Sequence, residues 1–288
     1  MTIIIAECAQ GYYKQTIEES IDLAKMLVRV SKASGADAVK FQLVFANELS
    51  TSDYEYHDLF LKLELGEKGW RSVCNLANEL EIEIIFDIFG IKSLNIAESL
   101  GIKTIKIHPT DFRNKVLLDA VSKSSQINHI LAGCGGSTPK EIIETLRIFK
   151  GKKSLTLLHG FQGYPTPINE NCLNRIETYS KLADSINLGD YKLGFADHAD
   201  PLSLDSNHLA IIAIGKGVTI VEKHITLSKC LNLEDSESAL SPDEFKIFVN
   251  NIRRLDIYNG PKEFTEINFS LPQKEIKYRN SCIRHVVA

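Results

Sequence analysis

No stretch of this chain approaches the ~18 consecutive apolar residues of a membrane-spanning helix, so no transmembrane segment is expected. An export signal is missing too. Residues 1–6 are apolar, but no basic region precedes them and Glu7 interrupts them at once, which leads us to expect a cytoplasmic protein. Excess positive charge is lacking: 33 Lys and Arg stand against 37 Asp and Glu, a formal charge of −4. At a pI of about 6.1 a nucleic-acid-binding surface is not expected. The six cysteines (Cys8, Cys74, Cys134, Cys172, Cys230 and Cys282) form no Cys-x-x-Cys pair. Zinc ribbons and redox dithiols therefore lose support, and reduced thiols are expected. Low hydrophobicity is absent as well; with 44% hydrophobic and 24% charged residues the chain has a globular composition, not a disordered one.

What the chain does contain is an alternation. Eight apolar, strand-like runs occur at 3–6, 38–42, 82–86, 104–107, 130–132, 155–159, 192–196 and 219–222. Between them lie segments with helical periodicity at 17–34, 67–80, 91–100, 114–122, 139–149, 173–185 and 202–215, and a last one follows at 242–255. Helix starts are marked by Ser137 or Thr138 before Pro139, and by Ser241 before Pro242 with Glu244 three positions on. Near-continuous apolar strands suit a parallel sheet covered on both faces. Eight β/α units in this length predict a (β/α)8 TIM barrel over residues 1–259, with residues 260–288 as a C-terminal extension, an arm or linker. A doubly wound open sheet is the alternative, weakened because no Gly-x-Gly-x-x-Gly follows a strand. The long stretch 43–66, with Tyr54, Tyr56, His57 and Phe60, reads as a lid or an inserted short helix.

A barrel carries its active site at the C-terminal ends of its strands. Here those ends hold Glu7, Lys40 and Gln42, Asp87, then Lys106, His108 and Asp111, and residues 133–137. His159, Gln162 and Tyr164 follow, then Asp197 and His198, and finally Glu222, Lys223 and His224. An inert scaffold has no need of ionisable groups at nearly every strand end. His198 and His224, from adjacent strands, are candidates to converge on a divalent metal, each with a carboxylate nearby; the competing reading is that each only hydrogen-bonds its neighbours. Lys40 and Lys106 interrupt apolar strands and need an anion, either a substrate phosphate or carboxylate or an internal partner such as Glu7 or Asp87. A Schiff-base lysine is disfavoured by the presence of two candidates beside a metal-like histidine pair. Residues 133–138 read as a Gly-rich turn, an oxyanion cradle or merely a helix entry, with Cys134 a weak candidate nucleophile.

Several ordered motifs resemble the N-acetylneuraminate (sialic acid) synthase family, which includes synthases of legionaminic and pseudaminic acid. They are Ile4-Ile5-Ala6-Glu7, Gly35-Ala36-Asp37-Ala38-Val39-Lys40-Phe41-Gln42, Tyr164-Pro165-Thr166-Pro167, Asp197-His198, Glu222-Lys223-His224-Ile225-Thr226-Leu227 and Ser241-Pro242-Asp243-Glu244-Phe245. The resemblance implies a metal-dependent condensation of phosphoenolpyruvate with an amino sugar or related aldose, giving a 2-keto-3-deoxy sugar acid. It implies Mn²⁺ or Mg²⁺ on His198 and His224, phosphoenolpyruvate on Lys40 and Lys106, and Glu7 in proton transfer or water orientation. Asp111, Tyr164 and Asp235 align with sugar-side positions, and a homodimer is the family precedent.

The chain departs from the family pattern on the donor side. Asp87 stands in place of Thr, Pro109, Gly133 and Ala196 in place of Ser, and Gln162 in place of Asn; the Asn-His pair after strand 1 is replaced near Gly11 and Tyr12. Four lost hydroxyls, at about 1.5–3 kcal/mol for each hydrogen bond to a charged group, would weaken phosphate binding unless something such as the 133–136 backbone replaces them. The family's C-terminal antifreeze-like domain is expected to be missing, or supplied by another polypeptide. Two other functions stay open: an aldolase or lyase that uses pyruvate, and a non-catalytic sugar-binding relative.

Overall fold

The computed structural model describes residues 1–160, 163–203, 205–258 and 271–281. The chain runs β1 (Ile3–Ala9), α1 (Ile17–Ala33), β2 (Ala38–Gln42), α2 (Ala46–Leu49), α3 (His57–Lys62), α4 (Gly66–Glu79) and β3 (Glu83–Ile88). It continues through α5 (Ile91–Ser99), β4 (Thr104–Ile107), α6 (Lys115–Lys123), β5 (His129–Gly133), α7 (Pro139–Phe149) and β6 (Ser154–Gly160). Then come α8 (Arg175–Ser185), β7 (Tyr191–Asp197), α9 (Ser206–Gly215), β8 (Val218–His224), α10 (Pro242–Tyr258) and α11 (Gln273–Ser281). All eight strands pair in parallel with their sequence neighbours, and β1 pairs with β8, so the sheet closes. This is the expected (β/α)8 TIM barrel; the open-sheet alternative is excluded by the β1–β8 ladder.

The strands alternate with period two. Val39 and Phe41, Phe86, Ile105 and Ile107, and Val221 face outward into the main core under the helices. Ile5, Ala38, Ile85, Leu131 and Ile220 face inward and form a small apolar floor inside the barrel. The positions two residues further along these strands are Glu7, Lys40, Asp87, Gly133 and Glu222. The cross-section thus changes from hydrocarbon to charge within one step of the pleat. Trp70 of α4 is fully buried and packs edge-on against Tyr12 and Phe86, with Phe41 tilted beside it.

Capping follows the sequence signals. Thr138 accepts from the Glu141 amide and Glu141 answers from its side chain, with Pro139 opening α7. At Ser241 the amide and the hydroxyl both donate to Glu244 Oε2, at 2.8 and 2.9 Å. The insertion after β2 holds two short helices, α2 and α3, and Glu48 joins it to α5 by accepting from the Lys92 and Ser93 amides at 2.5 and 3.0 Å. In the tail, where an arm or linker is expected, the described part is the helix α11, rich in Lys, Glu and Arg and with mostly exposed side chains. The expected boundary at 259–260 lies outside the described residues.

Candidate active site

At the C-terminal mouth of the barrel lies a cavity of about 260 Å³. Its walls are Glu7, Gln42, Asp87, Lys106, His108, Tyr164, His198, His224 and Asp235, contributed by six strand ends and two loops. A recess of about 30 Å³, room for roughly two waters, shares Lys106, His108 and His198 and is otherwise bounded by Pro109, Gly133, Gly135, Leu158, Gly160 and Ala196.

Beneath the cavity sits a closed ionic network. Lys40, wholly buried, pairs with Glu7 Oε2, with Asp87 Oδ2 at 2.8 Å and with Glu222 Oε1 at 3.7 Å. Lys106 reaches across the barrel to Glu222 Oε1 at 2.7 Å and stands 3.8 Å from Asp87 Oδ2. Register explains the arrangement: Glu7 lies beside both Lys40 and His224, and Asp87 beside Lys106. Of the two readings for the lysines, the internal ion pair is what the substrate-free protein contains. Burial pushes the Lys106 pKa down, but Asp87 and Glu222 outweigh it and the net shift is upward. Burial likewise pushes Glu222 up, yet Lys106 and Lys40 hold it below the usual carboxylate range. For Lys40 burial wins and its pKa falls. Glu7 also accepts the Ala9 amide on Oε1 at 2.7 Å. Asp87 Oδ1 and Glu222 Oε2 are buried without a hydrogen-bond partner.

Above the network the rings of His198 and His224 lie 5.2 Å apart, inclined at 55°, with Tyr164 edge-on to both at 6.0 and 5.4 Å. Burial lowers the His198 pKa to about 3, assisted by Lys106. Burial and the neighbouring His198 lower His224 well below the ordinary value. Both imidazoles are therefore neutral at pH 7. His198 Nδ1 lies 3.0 Å from the Ala196 carbonyl. A carbonyl only accepts, so Nδ1 carries the proton and the ring's lone pair is on Nε2. Tyr164 donates to the Asp235 carbonyl, and the Gln10 amide donates to Asp235 Oδ2 at 3.2 Å. Burial raises the Asp235 carboxyl to about 6.

Other strand-end groups point elsewhere. Asp197 and Lys223, one residue out of phase with His198 and His224, face the opposite side of the sheet and pair with each other at 3.1 Å. The carboxylate expected beside His198 is thus committed to a lysine away from the cavity. His159 is buried against Phe195 and Tyr179 and hydrogen-bonds Asn171 and Tyr179. It is a satisfied histidine of the strand–helix layer. Cys134 is also buried; burial pushes its thiol up to about 12, so it is no nucleophile. Asp111 lies in a short 3₁₀ turn, Pro109–Arg113, held by Asn114 at 3.1 Å, and does not line the cavity. Gln162 lies outside the described residues. Gln42, His108 and Glu222 were not among the site residues singled out by resemblance, yet they wall or underlie the cavity. Gly133 is closely packed: a Cβ there would stand 3.0 Å from Pro109 Cδ, so the proline would have to shift to admit one.

Comparison with known proteins places this geometry. The NeuB family model matches residues 27–263. The chain belongs to the NeuB family. It is 30% identical over 266 residues to an uncharacterized protein of Methanocaldococcus jannaschii, covering 91% of this chain and 73% of the relative. It is 28% identical over 272 residues to N,N'-diacetyllegionaminic acid synthase of Campylobacter jejuni, covering 88% and 76%. Among solved structures, N-acetylneuraminic acid synthetase from Leptospira borgpetersenii, in complex with citrate, superposes with a TM-score of 0.82 at 27% identity, covering 98% of this chain and 93% of that one. The resemblance read from the motifs is thereby confirmed, and the named relatives of this NeuB chain include sugar acid synthases. No helix among the described residues is long and apolar enough to cross a membrane.

Proposed function

We propose that this NeuB protein condenses phosphoenolpyruvate with an amino sugar or related aldose to form a sialic-acid-like 2-keto-3-deoxy sugar acid. The observation that carries this reading is the opposition, across one cavity, of two neutral imidazoles and a lysine backed by a second lysine. Neutral rings, one with its tautomer fixed by the Ala196 carbonyl, suit a divalent ion such as Mn²⁺ or Mg²⁺. Among the described residues no group of three or more His, Cys, Asp or Glu stands arranged to hold a metal. His198 and His224, whose rings lie 5.2 Å apart, would be the residues that hold it. Bound there, the ion supplies Lewis acidity toward an aldehyde oxygen.

The chain's own groups supply the rest. Lys106, on the cavity wall, receives the donor's anionic end, while Lys40 below it pairs with Glu7 and Asp87. C3 of the enol attacks the aldehyde carbon, water adds at C2, and phosphate leaves with C–O cleavage. Glu7, facing the cavity, orients that water and takes its proton. Tyr164 and Asp235, clasped together, form the wall toward which the sugar extends. Both substrates are small molecules, the assembly a homodimer and the location cytoplasmic in this reading. The test is inorganic phosphate release from phosphoenolpyruvate with Mn²⁺ across a panel of hexosamines and pentoses. Release that needs sugar, donor and metal together supports the reading, and none across the panel overturns it. One observation favours a second donor: three carboxylates face two lysines, an excess of negative charge that pyruvate tolerates better than phosphoenolpyruvate. Sugar-dependent loss of pyruvate identifies that aldolase or lyase chemistry.

A further inference from the structure

Asp87 differs from the other two carboxylates of the network. Glu222 is wholly buried and does not line the cavity, and its Oε1 is spent on Lys106 at 2.7 Å. Glu7 is held at both oxygens, by the Ala9 amide and by Lys40. Asp87 lines the cavity, places Oδ2 between Lys40 and Lys106, and leaves Oδ1 buried with no hydrogen-bond partner. A carboxylate in that state, with one oxygen unpartnered, is further destabilised by a second anion brought beside it. In the recess, the side chains besides Lys106 that can hydrogen-bond an anion are the rings of His108 and His198. Pro109, Gly133, Gly135, Leu158, Gly160 and Ala196 offer no side-chain hydroxyl or amide to a phosphate oxygen.

We infer that Asp87 is a specificity-determining residue that occupies the lysine pair as an internal anion and thereby turns the pocket against a multiply charged phosphorylated donor relative to an unphosphorylated 2-oxo acid. Between Lys40 and Lys106, Asp87 already takes the place that an incoming anion needs. A single carboxylate can still share Lys106, as Glu222 and Asp87 themselves share it. A phosphate brings further charge to a cluster already one carboxylate in excess and must displace Asp87 Oδ2 from the lysines or share them with it. The inference rests on the reading of this cavity as the donor pocket, and it names the residue on which the choice of donor turns.

The test is calorimetric binding of phosphoenolpyruvate and of pyruvate, each with Mn²⁺, to the wild-type protein and to Asp87→Asn. Asparagine keeps the shape and removes the charge. Phosphoenolpyruvate should bind the variant at least about tenfold more tightly than the wild type, while pyruvate changes less than about threefold. Equal changes for the two donors, or weaker phosphoenolpyruvate binding in the variant, overturn the inference. Should Asp87→Asn fail to fold, the wild type alone decides. Pyruvate bound at least as tightly as phosphoenolpyruvate supports the inference, and phosphoenolpyruvate tighter by about tenfold overturns it. Binding of neither donor overturns it as well. A sugar-dependent turnover assay on the same samples separates the two claims. Turnover without discrimination at Asp87 leaves the synthase reading intact and removes this one; discrimination without turnover does the reverse.

Discussion

Two buried ion-pair systems stand at nearly the same height on this barrel, one on each face of the sheet. Inside, Lys40 and Lys106 meet Glu7, Asp87 and Glu222 under an open cavity. Outside, Lys223 meets Asp197 at 3.1 Å and donates to the Ala199 carbonyl, while Asp197 accepts the Ala199 amide at 2.9 Å. The outer pair has equal numbers of charges and lies against closed structure. The inner one has an unequal count, two carboxylate oxygens without partners, and a space beside it. Burial of charge at a strand end therefore does not mark chemistry by itself. Unmet hydrogen-bonding capacity does not mark it either, since Asp197 Oδ2 of the outer pair also lacks a partner; the marks are charge imbalance and access to a cavity, which of these two only the inner face has.

Breaking each system in turn tests that contrast. Lys40→Met strips the main partner from Glu7 and Asp87 and should cost about 3–5 kcal/mol in urea denaturation, as expected when one side of a buried ionic cluster is removed. Next in size, His198→Ala or His224→Ala should weaken Mn²⁺ binding at least about a hundredfold by titration calorimetry, with the fold intact by circular dichroism. An undiminished affinity would move the metal elsewhere.

A third effect concerns histidines outside the imidazole pair. Burial lowers His129 and His108 to about 4 and also lowers His159. The unfolded chain takes up protons near pH 6.5 where the folded one does not. Their contribution is thus fully present above pH 6.5 and is lost as pH falls toward 4, at most about 1.4 kcal/mol per unit for each histidine. Urea midpoints measured at pH 7, 6 and 5 should fall in that order, and His129→Gln should flatten the slope. The smallest effect belongs to the outer pair. Replacing both members, Asp197→Leu with Lys223→Met, should change stability by no more than about 2 kcal/mol, less than Lys223→Met alone, and leave Mn²⁺ affinity within about threefold. A large loss of metal binding in the double variant would show that the two faces are coupled.

Much of the fold was legible before any coordinates. The apolar run at 38–42 became β2 and the one at 104–107 became β4 without change, because strands covered on both faces leave little freedom of pattern. The insertion at 43–66 was visible as length but resolved into two short helices only by their packing and by the Glu48 cap on α5. Strand-end charge was legible too, but its direction was not used. The pleat sorts it strand by strand: counted from Ile220 on β8, Glu222 and His224 face inward and Lys223 outward, and counted from Ala38 on β2, Lys40 and Gln42 face inward. The reach of Lys106 across the barrel to Glu222 has no local signal at all, since the two are 116 positions apart in sequence.

Alternation by itself determined the eight β/α units and the strand ends where ionisable groups gather, and ordered motifs carried the family likeness. The alternation follows from hydrophobic burial, which local pattern records faithfully. Only the tertiary structure decided that the sheet closes, which charges neutralise one another, which imidazoles stay neutral and which carboxylate oxygens lack a partner. Coulomb energies and desolvation depend on distances across the closed barrel, and those distances exist only once β8 has returned to β1.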